Sequence, residues 1–260
     1  MEEIKIEGRY ADVMLDSTFK RCFKEYGSAN KLMLLFLQAA IPDRKIVSIE
    51  YTSEESTNQH EDGKSIRVDV ECVDDNGERF MVELQRARQD FFYERALFNS
   101  TFAIQRQLKI GDDRYRLKPV YFIGLLRFSM NPDEEQVFYH YLLKEKNTDK
   151  VMTDNLNYIF LETPKCHLHE KASTIEKIGY ALQHLQEFDD RPQELDGEFF
   201  DILFSSAELT KFAPEEKFKY LHDMTTDRDI RNQIAYARNE GRDEGRAEGE
   251  SAGIEKGRAF

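Results

Sequence analysis

The sequence has no tryptophan, three cysteines and six prolines in 260 residues, and no apolar run of membrane-spanning length. Each shortage excludes something. Cys22, Cys72 and Cys166 are too few and too scattered for a disulfide framework, which points to a reducing compartment and a cytoplasmic protein. The longest apolar stretch, Leu32 to Ile41, is broken by Gln38 and reaches about half a bilayer span, so no membrane partner is expected. The opening residues MEEIKIEGRY carry acids where a secretory leader has bases. Basic residues are also outnumbered, 37 Lys and Arg against 50 Asp and Glu for a net charge of −13, which alone argues against a nucleic-acid partner. The imbalance is uneven: between Arg86 and Lys118 eight basic residues face four acidic ones, leaving room for a local basic surface.

What is present is the material of a globular core. The chain is 40% hydrophobic, with 12 Tyr and 19 Phe, which excludes a disordered chain, a collagen-like repeat and a pure coiled coil. At roughly 150 residues per domain, the length allows one large domain, alone or with a helical extension.

Residues 17 to 40 read as two helices. Asp16 or Ser17 caps the first, whose apolar positions are Phe19, Cys22, Phe23 and Tyr26, and Gly27 ends it. Ser28 caps the second, Ala29 to Ala40, and Pro42 stops it. An alternating strand, Lys45 to Thr52, precedes a polar loop, Ser53 to Lys64. Two more strands, Ser65 to Asp74 and Glu78 to Arg86, are joined by Asp75-Asn76-Gly77. A long helix is expected from Asp90 to about Lys109, with Gly111 terminating it. The run Val120 to Phe128 is almost continuously apolar, the pattern of a central strand buried on both faces. Strands are expected at Val137–Lys144 and Leu156–Glu162, and helices from Ser173 onward, including Gly197–Leu209 and Pro214–Ala237. The order implies a mixed sheet with helices packed on it, then an all-helical C-terminal part. In the last twenty residues Gly241, Gly245, Gly249, Gly253 and Gly257 recur every fourth position among charged residues. Each glycine costs a helix about 1 kcal/mol relative to alanine, so the segment reads as a frayed, solvated tail or as a self-association helix with a narrow glycine stripe.

The second and third strands carry the most chemistry. In the first of them Ile66, Val68, Val70 and Cys72 point one way and Arg67, Asp69 and Glu71 the other; in its partner Phe80, Val82 and Leu84 oppose Met81, Glu83 and Gln85. A two-residue turn would set Asp69 against Leu84. A three-residue loop with Gly77 in the left-handed conformation pairs Asp74 with Glu78 and sets Asp69 opposite Glu83, with Cβ atoms ~5 Å apart. Only that register segregates apolar from polar faces, so it is the one expected. Facing carboxylates repel unless a cation lies between them, and a hard divalent ion with oxygen ligands at about 2.1 Å would satisfy both. Gln85, on the same face, can add an amide oxygen or orient a water. An ordinary solvent-facing hairpin surface is the alternative.

At these residues the chain resembles the PD-(D/E)XK nuclease superfamily, and in particular its recombination-promoting nuclease or transposase branch, the Rpn family. The matching pieces are Asp16-Ser17-Thr18-Phe19-Lys20 before an LLxFL helix, Arg67-Val68-Asp69-Val70 followed by Asp74-Asp75-Asn76-Gly77, Val82-Glu83-Leu84-Gln85, Phe92-Tyr93-Glu94-Arg95-Ala96, Lys118-Pro119 and the charged glycine tail. The resemblance covers residues 10 to 165, with the tail as a weaker second region. It implies a restriction-endonuclease-like α/β core over residues 1–165, a helical region over 166–237 and the tail over 238–260. It also implies a divalent-metal-dependent DNA endonuclease linked to recombination or mobile elements, using Mg²⁺ or another divalent cation. Asp69 matches the metal-binding aspartate and Glu83 the acid of the (D/E)xK element, while Gln85 falls where the superfamily usually has lysine. Lys20 or Arg95 would supply the missing positive charge, and Asp16 sits where an acid on the first helix joins some metal sites. Arg95, Arg106 and Lys109 would meet backbone phosphates, contacts that carry little sequence specificity. The rival reading is a nuclease-like module that has lost catalysis and acts in binding or assembly, in defence against foreign DNA. A purely structural oligomer driven by the tail is the third.

Other motifs are weaker. Cys166-His167-Leu168-His169 offers three zinc-ligand types but no second pair at metal-site spacing. His184 reads as a helix-surface residue, Ser100 and Ser129 lack a recognisable base, and no glycine-rich phosphate loop or H-E-x-x-H occurs.

Overall fold

The computed structural model describes residues 6–52, 68–108 and 114–257. The polar loop, the start of the second expected strand with Arg67, and both Lys109 and Gly111 lie outside the described residues.

Six strands form one mixed sheet in the order β1-β2-β3-β4-β6-β5, comprising β1 (Ile49–Tyr51), β2 (Val70–Asp74), β3 (Arg79–Gln85), β4 (Val120–Leu126), β5 (Phe138–Lys144) and β6 (Val151–Glu162). β3, β4 and β6 run parallel at the centre, while the hairpin partners β1, β2 and β5 run antiparallel to their neighbours. β4 is buried at every residue, as an uninterrupted apolar run predicts for a strand covered on both faces.

One face carries Val70, Cys72, Phe80, Val82, Tyr121, Ile123 and Leu161. It packs on α1 (Asp16–Lys20), α2 (Ala29–Ala40), α4 (Thr174–His184) and α5 (Glu198–Ala207) through Phe19, Phe36, Leu182 and Leu203, among others. The other face carries Met81, Val120, Phe122, Leu126 and Phe160 under Phe92, Ala96 and Ala103 of α3 (Phe92–Gln105). The expected mixed sheet flanked by helices is therefore the architecture observed, a restriction-endonuclease-like α/β fold.

Local details differ from expectation for physical reasons. The first helix starts with Asp16 itself; Leu15 is its N-cap residue, and no side chain caps it. It passes into a π-helical turn, Arg21–Glu25, and ends when Tyr26 turns extended, one residue before Gly27. Such π turns concentrate at functional sites. Buried Arg21 ties this turn to the end of α5 and the chain after it, donating to the Ser206 and Lys211 carbonyl oxygens and stacking 4.2 Å from the Phe212 ring. Ser28 precedes α2 without a capping hydrogen bond. α3 begins at Phe92, because Phe91 adopts a left-handed backbone (φ 61°, ψ 30°) that no helix continues through. Val68 packs with the α3-side cluster instead of sharing the Val70 face, because the chain bends at Asp69 and breaks the strand alternation there.

The expected boundary at 165 falls inside a compact unit that runs to Phe212 and whose core includes Cys166, Ile178 and Leu203. The second unit holds one helix, α6 (Pro214–Gly257). The tail is thus helical to Gly257 where a frayed end was one of the two expectations; α6 contains no proline after Pro214, and i,i+4 pairs such as Arg246–Glu250 (3.1 Å) offset part of the glycine cost. No helix among the described residues is long and apolar enough to cross a membrane.

Candidate active site

The site begins with a turn. Gly77 has φ +81°, and the Asp74 carboxylate accepts from the Asn76 and Glu78 amides at 3.0 and 2.8 Å, closing the three-residue loop Asp75-Asn76-Gly77. This sets Val70 against Val82 and Cys72 against Phe80, the register that the segregation of faces requires. The ladder ends at Val70–Val82; Asp69 lies just beyond it, at the bend, where the Asp16 and Glu83 carboxyls act on its charge.

Asp69 Oδ2 accepts a hydrogen bond from the Leu84 amide at 2.6 Å. Burial pushes its carboxyl up to about 7; the Leu84 N–H opposes the rise, and the nearby Asp16 and Glu83 carboxyls add to it. Glu83 is buried, and burial raises its carboxyl too, while the Arg95 guanidinium and the Asn99 amide hold it down. Arg95 Nη2 lies 2.7 Å from Glu83 Oε1 and also donates to Gln85 Oε1, and Arg95 Nη1 donates to Gln89 Oε1. The Gln85 amide nitrogen donates to the Ala87 carbonyl at 2.8 Å, which turns its oxygen towards Arg95. Glu83 Oε2 is buried without a hydrogen bond.

Asp16 is the first residue of α1, which the chain enters through a loop. Asp12 anchors that loop, pairing with Arg127 at 2.7 Å and accepting from the Met14 amide at 2.9 Å. Lys20, one turn along α1, places Nζ 3.1 Å from Asp16 Oδ2. The fold thus gathers Asp16, Lys20, Asp69, Glu83, Gln85 and Arg95. Arg106 stands apart, sharing Glu71 with Arg79 at 3.3 and 3.1 Å. Both described arginines of the expected phosphate set are therefore paired with carboxylates, and Lys109 lies outside the described residues.

The donor set fits a divalent ion. Among the described residues no three His, Cys, Asp or Glu side chains converge as a closed metal cage, but Mg²⁺ needs only one or two carboxylates, with waters and substrate phosphate completing its shell. Asp69 is half-buried and Glu83 buried, a cation between them would relieve the repulsion that the Glu83 charge exerts on Asp69, and Glu83 Oε2 is a buried oxygen without a hydrogen bond.

Sequence reasoning missed Asn99 and the Asp12–Arg127 anchor. Asn99 follows Arg95 by four residues, so both lie on one helical face, a spacing that was there to be read. Asp12–Arg127 joins residues far apart in the chain and left no local signal. The Cys166 group forms no metal site: Cys166 is buried and His169 pairs with Glu176 at 3.1 Å.

A family model described as PD-(D/E)XK nuclease family transposase matches residues 13–237, a span that takes in every described residue of the site. No curated protein and no solved structure matches the chain.

Proposed function

Since the chain belongs to the PD-(D/E)XK nuclease family transposases, we propose that it is a divalent-metal-dependent DNA endonuclease serving recombination or mobile elements and acting in the cytoplasm. PD-(D/E)XK nucleases generally use divalent metal ions, and here Asp69 and Glu83 would hold one. Bound there, the ion would acidify a water and neutralise charge on the phosphodiester. The chain's own residues do the rest. Burial holds the Asp69 carboxyl up at about 7, so a cation bound beside it would favour loss of its proton. Arg95 fixes the Glu83 rotamer and brings positive charge to the position where the superfamily's lysine would act. Lys20 orients Asp16.

The observation that carries this reading is the Asp69 carboxylate on the Leu84 amide, close enough to Glu83 to feel its charge, with Arg95 bridging Glu83 and Gln85. Plasmid nicking with Mg²⁺, Mn²⁺ or Ca²⁺ tests it: the wild type nicks and Asp69→Ala does not. Nicking that survives Asp69→Ala defeats the assignment. One observation favours the rival, a binding module without catalysis: Arg95 already neutralises Glu83. That module predicts no nicking with any of the three metals and no heat on titrating metal into wild type or Glu83→Ala.

A further inference from the structure

Next to Arg95 the chain between β3 and α3 forms a cavity of about 250 Å³, lined by Arg88, Gln89, Asp90, Phe91, Phe128 and Asn131 among others. It is smaller than the roughly 300–1,000 Å³ sites of drug-sized ligands, so it suits one planar ring system. Its walls combine aromatic surface with hydrogen-bonding groups of both kinds: Asp90 accepts, Arg88 donates, and Gln89 and Asn131 do both.

Phe91 is the unusual residue. Its side chain is 75% exposed although it is a large hydrophobic, and its backbone is left-handed, a conformation unfavourable for a residue with a Cβ. Strained positions of this kind gather at ligand clamps. Gln89, in the cavity wall, accepts from Arg95, which holds Glu83, so the cavity lies two hydrogen bonds from the proposed metal ligand.

We propose that this cavity takes a single unstacked nucleobase, with Phe91 as the stacking face, so that the preferred substrate is DNA carrying an unpaired nucleotide beside the cleaved bond. The proposal rests on the nuclease reading and deepens it. Aromatic stacking tolerates any base, and carboxylate and amide groups at the cavity wall would meet base-edge amino and carbonyl groups. A fully paired duplex keeps its bases stacked and gains nothing from the cavity, whereas an already unpaired base enters without the cost of extrusion.

The test is equilibrium binding of the full chain in EDTA to two oligonucleotide duplexes, one fully paired and one with a single bulged 2-aminopurine. The bulged duplex should bind about tenfold tighter, with quenched 2-aminopurine fluorescence. Phe91→Ala should erase the preference, and Phe91→Trp should keep it. Equal affinity of the wild type for both duplexes, or a preference that survives Phe91→Ala, overturns the proposal. Because binding is read without metal, the two readings fail separately. Metal-dependent nicking without a bulge preference sinks only the cavity, and a bulge preference without nicking sinks only the nuclease.

Discussion

Arg95 grips Glu83: one nitrogen lies 2.7 Å from Oε1 and also donates to Gln85 Oε1, so a helix residue supplies the cation that the strand sequence lacks. The consequence is interdependence. Arg95→Ala should lower metal-dependent nicking on the order of 100-fold. Gln85→Lys alone should also impair it, by setting two cations side by side. The double variant Gln85→Lys/Arg95→Ala should recover part of the loss, so the two changes should not add. Nicking rates of the four proteins decide; simple additivity contradicts the substitution of one cation for the other.

Asp69 gives a pH dependence. Its folded carboxyl titrates at about 7 against an ordinary value of 3.8, so between these values the folded state binds the extra proton. Stability of the metal-free protein should therefore fall as pH rises from about 4 to 7 and level off above, while metal binding should strengthen over the upper part of that window as the proton leaves. Asp69→Asn keeps an acceptor for the Leu84 amide and removes the buried charge. It should raise Tm at pH 8 in EDTA by about 2–4 °C, the effect of about 1 kcal/mol in a chain of this size, while abolishing nicking. A lower Tm would mean that burial of the charge is not what raises the carboxyl.

Gly77 sets the register through its backbone alone. A Cβ there would find only Lys118 Cγ at 3.7 Å, ordinary contact, but φ is +81°. Gly77→Ala should destabilise by about 1 kcal/mol, and Gly77→Asn by less, because asparagine tolerates the left-handed region. Urea unfolding of the three proteins checks the order; alanine at or above asparagine refutes it.

Gly124 supports the site from beneath. It pairs with Glu83 on one side and Phe160 on the other, and a Cβ would stand 2.8 Å from the Phe160 ring. That ring packs against Phe92, Tyr93 and Tyr141 at 5.2, 5.8 and 5.8 Å, so it has little room to move. Gly124→Ala should cost about 1–3 kcal/mol, read as a Tm several degrees lower; an unchanged Tm would show that the ring gives way.

Much of the site was legible because it is local. Alternation along 70–85, the demand for segregated faces and a turn that accommodates glycine fix the hairpin register before any tertiary contact is considered. The apolar run at 120–126 announces a central strand for the same reason. Helix limits were less legible: capping competed with the π turn after Lys20, which Arg21 ties to residues far along the chain, and with the left-handed backbone at Phe91.

Sequence by itself therefore determined the strands and the hairpin register, because side-chain periodicity and turn chemistry act over a few residues. Tertiary structure alone decided that Arg95 reaches Glu83, that Arg106 turns to Glu71, that Asp12 anchors to Arg127, and that Asp69 is buried enough to titrate near neutrality. Those depend on how helices lie across the sheet, and the strength of a charge depends on how much water the fold removes from around it.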